Sequence, residues 1–283
     1  MTRLVSAVIC TSLLVAVRSL SAQGLVPNCT LPFENIKKHH PIDDNCGARG
    51  EADADPDPNN VEPHALQNQA KNNFCDTTGN PSLVTFISFT KLQQKLDQKV
   101  PAAKTWNREH LPPDRGVLRD IYTTSEGATI GEGTVVTVAG WLMRPRKGGK
   151  ESCNCGEANG AGKEVIDMHL VMISSSDREN TPECKSVTVE ISPHFRPDQW
   201  NADTILSANN HPLRFTGQLF YDAAHRPCSG SPPTSASRAP SRVSSCEIHP
   251  VYAIDVCTKK SLSSCKADND SVWTPLDQWQ GEE

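Results

Sequence analysis

The sequence predicts a mainly β protein: a five-stranded, OB-fold-like barrel behind a partly helical, disulfide-tied N-terminal extension. Three observations predict it. Five segments between 131 and 258 alternate apolar and polar residues with the two-residue period of strands. A stretch of helical or looped character, 195–210, separates the third from the fourth. The first is long and carries Gly140 at its middle, as a strand needs if it is to bend across both sides of a small barrel. A small mixed sandwich is the alternative arrangement.

The first 22 residues read as a secretory leader. Arg3 supplies the positive start, an apolar run covers 4–17, and the small residues Ser19, Ser21 and Ala22 precede a cleavage point near Gln23. The apolar run is short and interrupted, so no transmembrane span is expected after cleavage; an uncleaved anchor is the alternative. The expected location is secreted or periplasmic. Loss of the two arginines of the leader, Arg3 and Arg18, takes the formal charge from −5 to −7. Such a chain is a poor general binder of polyanions.

Cys10 lies in the leader, and ten of the eleven cysteines remain beyond it: Cys29, Cys46, Cys75, Cys153, Cys155, Cys184, Cys228, Cys246, Cys257 and Cys265. An even number in an exported chain points to disulfides. Cys153 and Cys155 are too close to bond each other easily, so each is expected to pair elsewhere, for example with Cys184. Proximity in sequence suggests Cys228 with Cys246 and Cys257 with Cys265.

The extension, 23–130, begins irregularly. Asp53, Asp55 and Asp57 superficially resemble a calcium loop, but Pro58 and His64 stand where the loop needs glycine and glutamate. A short helix is expected over 63–74, with Leu66, Ala70 and Phe74 at four-residue steps. A strand is expected over 82–87. A second helix is expected over 88–100, capped by Ser88 or Thr90 and buried through Phe89, Leu92, Leu96 and Val100. One further helical turn is expected near 115–121.

The barrel strands are expected at 133–146, 164–174, 185–192, 212–222 and 246–257, followed by a tail, 259–283. Val187, Val189 and Ile191 face inward on the third; Leu213, Phe215, Leu219 and Tyr221 share a face on the fourth. On the fifth, Ile248, Pro250, Tyr252, Ile254 and Val256 share a face.

The motifs GWL (140–142), ESCNC (151–155), DMHL (167–170), SVTVEISP (186–193), LRFTGQLFYDAAH (213–225) and EIHPVYAIDV (247–256) together resemble a group of uncharacterised bacterial secreted or periplasmic proteins. NNFC (72–75) is similar to the same group. The resemblance covers most of the mature chain. It implies an OB-like barrel with an N-terminal extension, and no activity.

Two clusters carry chemistry. Asp167 and His169 on the second strand, Glu190 on the third, and Glu247 and His249 on the fifth all have the parity that points away from the barrel interior. The third strand of such a barrel neighbours the second and the fifth, so the five side chains converge on one outer patch. Neutral imidazole and carboxylate oxygen suit Zn²⁺ or another divalent ion, and a His–carboxylate pair can act as a general base. The more economical reading is a cross-strand ladder that serves as a floor for the extension.

The second cluster is basic. Arg144, Arg146, Lys147, Lys150 and Lys163 lie in or beside one loop, and Arg238 and Arg242 in another; these loops flank the usual ligand face of an OB barrel. The outer strand positions lack the aromatic platform that stacks bases, so nucleic acid is not an expected partner. The sequence thus points to a non-enzymatic binding or envelope-associated module for a saccharide, peptide or protein partner. The alternative is a metal-dependent hydrolase or metal-binding protein built on the His/carboxylate patch.

Overall fold

The computed structural model describes residues 49–50, 63–73, 80–100, 112, 114–147, 167–192, 196–197, 199–223, 225, 227–228 and 242–281. The leader, the Asp53–Asp55–Asp57 stretch, five cysteines (Cys29, Cys46, Cys75, Cys153 and Cys155) and Lys150, Lys163 and Arg238 lie outside the described residues. No helix among the described residues is long and apolar enough to cross a membrane.

Five strands close a mixed barrel. They are β4 (Val135–Lys147), β5 (Met168–Ile173), β6 (Val187–Ile191), β7 (Leu213–Tyr221) and β8 (Cys246–Cys257). The neighbour order is β4-β5-β6-β8-β7, and β7 returns to β4. All pairs are antiparallel except β6 with β8, which run parallel. The third barrel strand therefore lies between the second and the fifth, as the sequence predicts. α3 (Ala202–Ser207) sits in the connection between β6 and β7.

Gly140 is where β4 changes partner. Its N-terminal half, Val135 to Gly140, pairs with β7, and the half from Trp141 onward pairs with β5. A Cβ at Gly140 would come within 2.8 Å of the Ile173 carbonyl oxygen and of the Phe86 ring. The strand can cross between two partners and still lie under Phe86 because this position has no side chain.

The alternating apolar residues form one core: Val136, Val138, Leu142, Leu170, Met172, Val187, Val189, Ile191, Leu213, Phe215, Leu219, Ile248, Ile254 and Val256. One face assignment changes. Val251, rather than Pro250 and Tyr252, joins this core. The register between β7 and β8 shifts on both sides of Gly217, and each shift resets which residues face inward. Tyr252 is buried outside the cluster and donates its hydroxyl to Gln218 Oε1.

The extension contributes to the same core. α2 (Phe86–Lys99) buries Phe89, Leu92 and Leu96, and Val100 follows. It begins earlier than the sequence predicts. Thr85 is the cap, accepting from Ser88 N, while the Ser88 hydroxyl accepts from Thr85 N; this capping box claims residues expected to be strand. Only β1 (Ser82–Leu83) remains extended, parallel to β4. A 3₁₀ turn, Arg115–Leu118, and a hairpin of β2 (Tyr122–Thr123) with β3 (Thr129–Ile130) complete the extension. The tail is structured: β9 (Trp273–Pro275) adds to β8, and Leu276 enters the core.

α1 (Pro63–Lys71) forms where the sequence predicts a helix, but it buries a different face. Leu66 and Ala70 are only half-buried, whereas Gln67, Asn68, Lys71 and the following Asn72 are buried. A polar helix face can be buried when the surface beneath it offers charges and hydrogen-bonding groups.

Two cysteine pairs among the described residues stand at disulfide distance, Cys184–Cys228 and Cys257–Cys265. The second is the expected pair. The first replaces both expected pairings of its members, Cys228 with Cys246 and Cys184 with Cys153 or Cys155. The backbone explains it: Cys228 N donates to Arg242 O and Val243 N donates to Ser186 O, which brings the ends of the Ser/Pro-rich loop beside the start of β6. Cys246 points into the core as a free thiol, and burial pushes its pKa up.

Candidate metal centre

The sheet register brings the outer patch together. His169 lies directly opposite Glu190 across β5 and β6. Ile248 lies opposite Val189 across β6 and β8, so Glu247 and His249, on either side of Ile248, reach the face that carries Glu190. The two oxygens of Glu190 divide between the histidines. Oε1 is 3.3 Å from His169 Nε2, and Oε2 is 3.2 Å from His249 Nδ1. Two sets of three ligand atoms result, each within 4.8 Å of one another: Asp167, His169 and Glu190, and Glu190, Glu247 and His249.

His169 keeps partial contact with solvent, and the rest of the patch is buried. Asp167, Glu190, Glu247 and His249 are each at most 1% exposed. α1 roofs them, with Lys71 Nζ donating to Glu190 Oε2 at 3.0 Å. The extension thus contacts the patch through Lys71. Phe220, on β7, completes the roofed space: its ring lies 5.8 Å from the His249 ring and 5.6 Å from Lys71 Nζ.

On the far side stands Arg242. It donates Nη1 to Glu247 Oε2 and Nη2 to Asp222 Oδ2, both at 2.6 Å, and Asp222 Oδ2 also lies 2.5 Å from His225 Nδ1. The sequence placed Arg242 in a ligand-binding loop. It is instead a buried counter-ion at the foot of β8, because two buried carboxylates there need a bidentate cation. Arg144 pairs with Glu183. The backbones of Arg146 and Lys147 belong to β4, and their side chains lie outside what the structure describes.

α2 holds the foot of β8 in place. Gln93 Oε1 accepts from Ser245 N at 2.8 Å and from the Ser244 hydroxyl at 3.2 Å. Sequence reasoning missed Lys71, Asp222, Phe220 and Gln93. The one available signal was α1 itself, whose Gln67, Asn68, Lys71 and Asn72 recur at helical spacing.

The carboxyls titrate apart. Burial alone would raise Glu190, but His169, Lys71 and His249 outweigh it and hold its carboxyl well below the usual range. Burial, then the charges of Glu190 and Asp222, push Glu247 well above the usual range, against Arg242 and Lys71. Burial also opposes ionisation of Asp222, yet Arg242 and His225 pull its pKa far down. The charges of Glu190 and Asp222 thus bear on Glu247 against those of Arg242 and Lys71.

Glu247 and His249 are among the residues that carry unsatisfied buried atoms. Glu247 Oε1 and both ring nitrogens of His249 have no hydrogen-bond partner among the described residues; the 3.2 Å approach of His249 Nδ1 to Glu190 lacks hydrogen-bond alignment. Such groups are costly when fully buried.

The chain matches no protein-family model, no curated protein and no solved structure.

Proposed function

We propose that this protein is an exported, non-enzymatic metal-binding module whose barrel holds one divalent transition-metal ion, Zn²⁺ in the first instance, between Glu190, Glu247 and His249. The observation that carries the proposal is the trio of unsatisfied, fully buried donor atoms on Glu247 and His249 beside a Glu190 carboxyl kept ionised. Imidazole with two carboxylates is a ligand set that suits zinc and its neighbours. The pKa of Glu247 is raised and a ligand carboxyl must be ionised, so affinity should rise with pH. The cover of α1 and Lys71 favours holding an ion over turning over a large substrate. Export is supported by the two cysteine pairs at disulfide distance.

The test is metal content. The full chain is produced through an oxidising compartment without a metal-affinity tag, and bound metal is measured by mass spectrometry beside a His249→Ala variant. One ion per folded wild-type chain, lost in the variant, is the expected result. A folded wild type that neither carries nor takes up Zn²⁺, Mn²⁺ or Fe²⁺ would defeat the proposal.

A further inference from the structure

We infer that Lys71 and a divalent ion compete for Glu190, so that they exclude one another and α1 is a cover released by metal. The inference rests on the divalent site proposed above and names its regulation.

The ammonium of Lys71 and the candidate ion claim the same atom. Lys71 Nζ donates to Glu190 Oε2 at 3.0 Å, and that oxygen is the one that faces His249. Lys71 is 4% exposed, so its charge is buried with the site and has little water to retreat into without moving α1. An ion held by Glu190, Glu247 and His249 would stand beside this ammonium in a poorly screened interior. Their repulsion would fall on the pair at short range, and Lys71 is the partner that can leave. Its long stem sits on the last turn of α1, next to residues 72–73, so its departure carries the helix end with it.

α1 is suited to leave. It is nine residues long, a length that is not stable as a helix in water by itself. Its buried face is polar, and Gln67 Oε1 is buried with no hydrogen-bond partner among the described residues. Undocking would hydrate that group, which lowers the cost of release. Asn68 donates to Arg49 O at 3.0 Å, within the same extension. Groups facing Lys71 include Glu190 from β6 and the Phe220 ring from β7, and its charge acts on Glu247 from β8 and on Asp222 beyond β7.

The test measures Zn²⁺ affinity and α1 protection on the same full-length samples. Affinity is read by competition with a chromophoric chelator, in wild type, Lys71→Met and Lys71→Gln. Amide hydrogen exchange of 63–73 is read with and without saturating Zn²⁺. The expected result is at least tenfold tighter binding in both variants, and faster exchange of 63–73 in the Zn²⁺-loaded wild type. Equal or weaker binding in the variants, with exchange of 63–73 unchanged or slowed by Zn²⁺, would overturn the exclusion while leaving the metal site standing. Folded wild type and variants that all fail to bind Zn²⁺ would remove the site and this inference together. Should both variants fail to fold, the exchange measurement on wild type decides alone.

Discussion

At the scale of the residue, Glu247 is the most consequential side chain. It is fully buried, receives one hydrogen bond from Arg242 and faces the charges of Glu190 and Asp222. Its folded pKa is raised above its unfolded value, so its contribution to stability is fully present below the ordinary carboxylate range, about 4.3. That contribution is lost as pH rises through the elevated folded value. Glutamine keeps the shape and the acceptor for Arg242 but never ionises. In chelator-treated protein, Glu247→Gln should therefore remove the fall in stability that wild type shows in urea titrations as pH rises above the ordinary carboxylate range. Wild type and variant losing equal stability over that rise would show that Glu247 is not the buried acid. Asp222 has the opposite sign: its folded pKa is depressed, so its stabilisation is present above about pH 4 and fades as pH falls further. The strand parity of Glu190, Glu247 and His249 was legible because it follows from a two-residue repeat. The fate of Arg242 was not, because a guanidinium in a Ser/Pro-rich loop reads as surface until Asp222, on a different strand end, is known to sit beside it.

At the scale of the element, the two helices of the extension show what periodicity can and cannot tell. α2 was legible: Phe89, Leu92, Leu96 and Val100 recur at helical spacing and all enter the core. Its start was hidden because Val84, Phe86 and Ile87 look like strand residues, and only the reciprocal bonds of Thr85 and Ser88 decide for a helix. Thr85→Ala should cost about 1 kcal/mol by loss of that cap, read as a lower urea midpoint with an unchanged slope. A Thr90→Ala change, at the position the sequence offered as an alternative cap, removes only a bond back to Phe86 O and should cost less. Equal losses in the two variants would contradict the capping box. α1 was legible as a helix and illegible as a contact, since an apolar moment cannot register a face that docks through Lys71 and Asn68.

At the scale of the whole molecule, the barrel is closed by sheet pairing, and the cysteine pairs then fasten the segments that pairing leaves loose. Cys184–Cys228 spans 44 residues and ties the approach to β6 to the loop before β8, where Arg242 enters the buried cluster. Cys257–Cys265 spans 8 residues and turns the tail back so that β9 can pair with β8. A bond that closes a longer loop removes more freedom from the unfolded chain, by about 4 kcal/mol for the first and about 2.5 kcal/mol for the second on the chain-entropy account. The paired change Cys184→Ala with Cys228→Ala should therefore lower the urea midpoint more than Cys257→Ala with Cys265→Ala. It should also loosen the Arg242 cluster, because the loop that delivers Arg242 would lose its anchor. Cys246 provides an internal check on the connectivity. As a buried free thiol it should resist alkylation in the native protein and react once the unreduced chain is unfolded. Labelling at Cys184 in place of Cys246 under those conditions would mean that Cys228 bonds to Cys246, and the anchoring of the Arg242 cluster would then have to come from β8 itself.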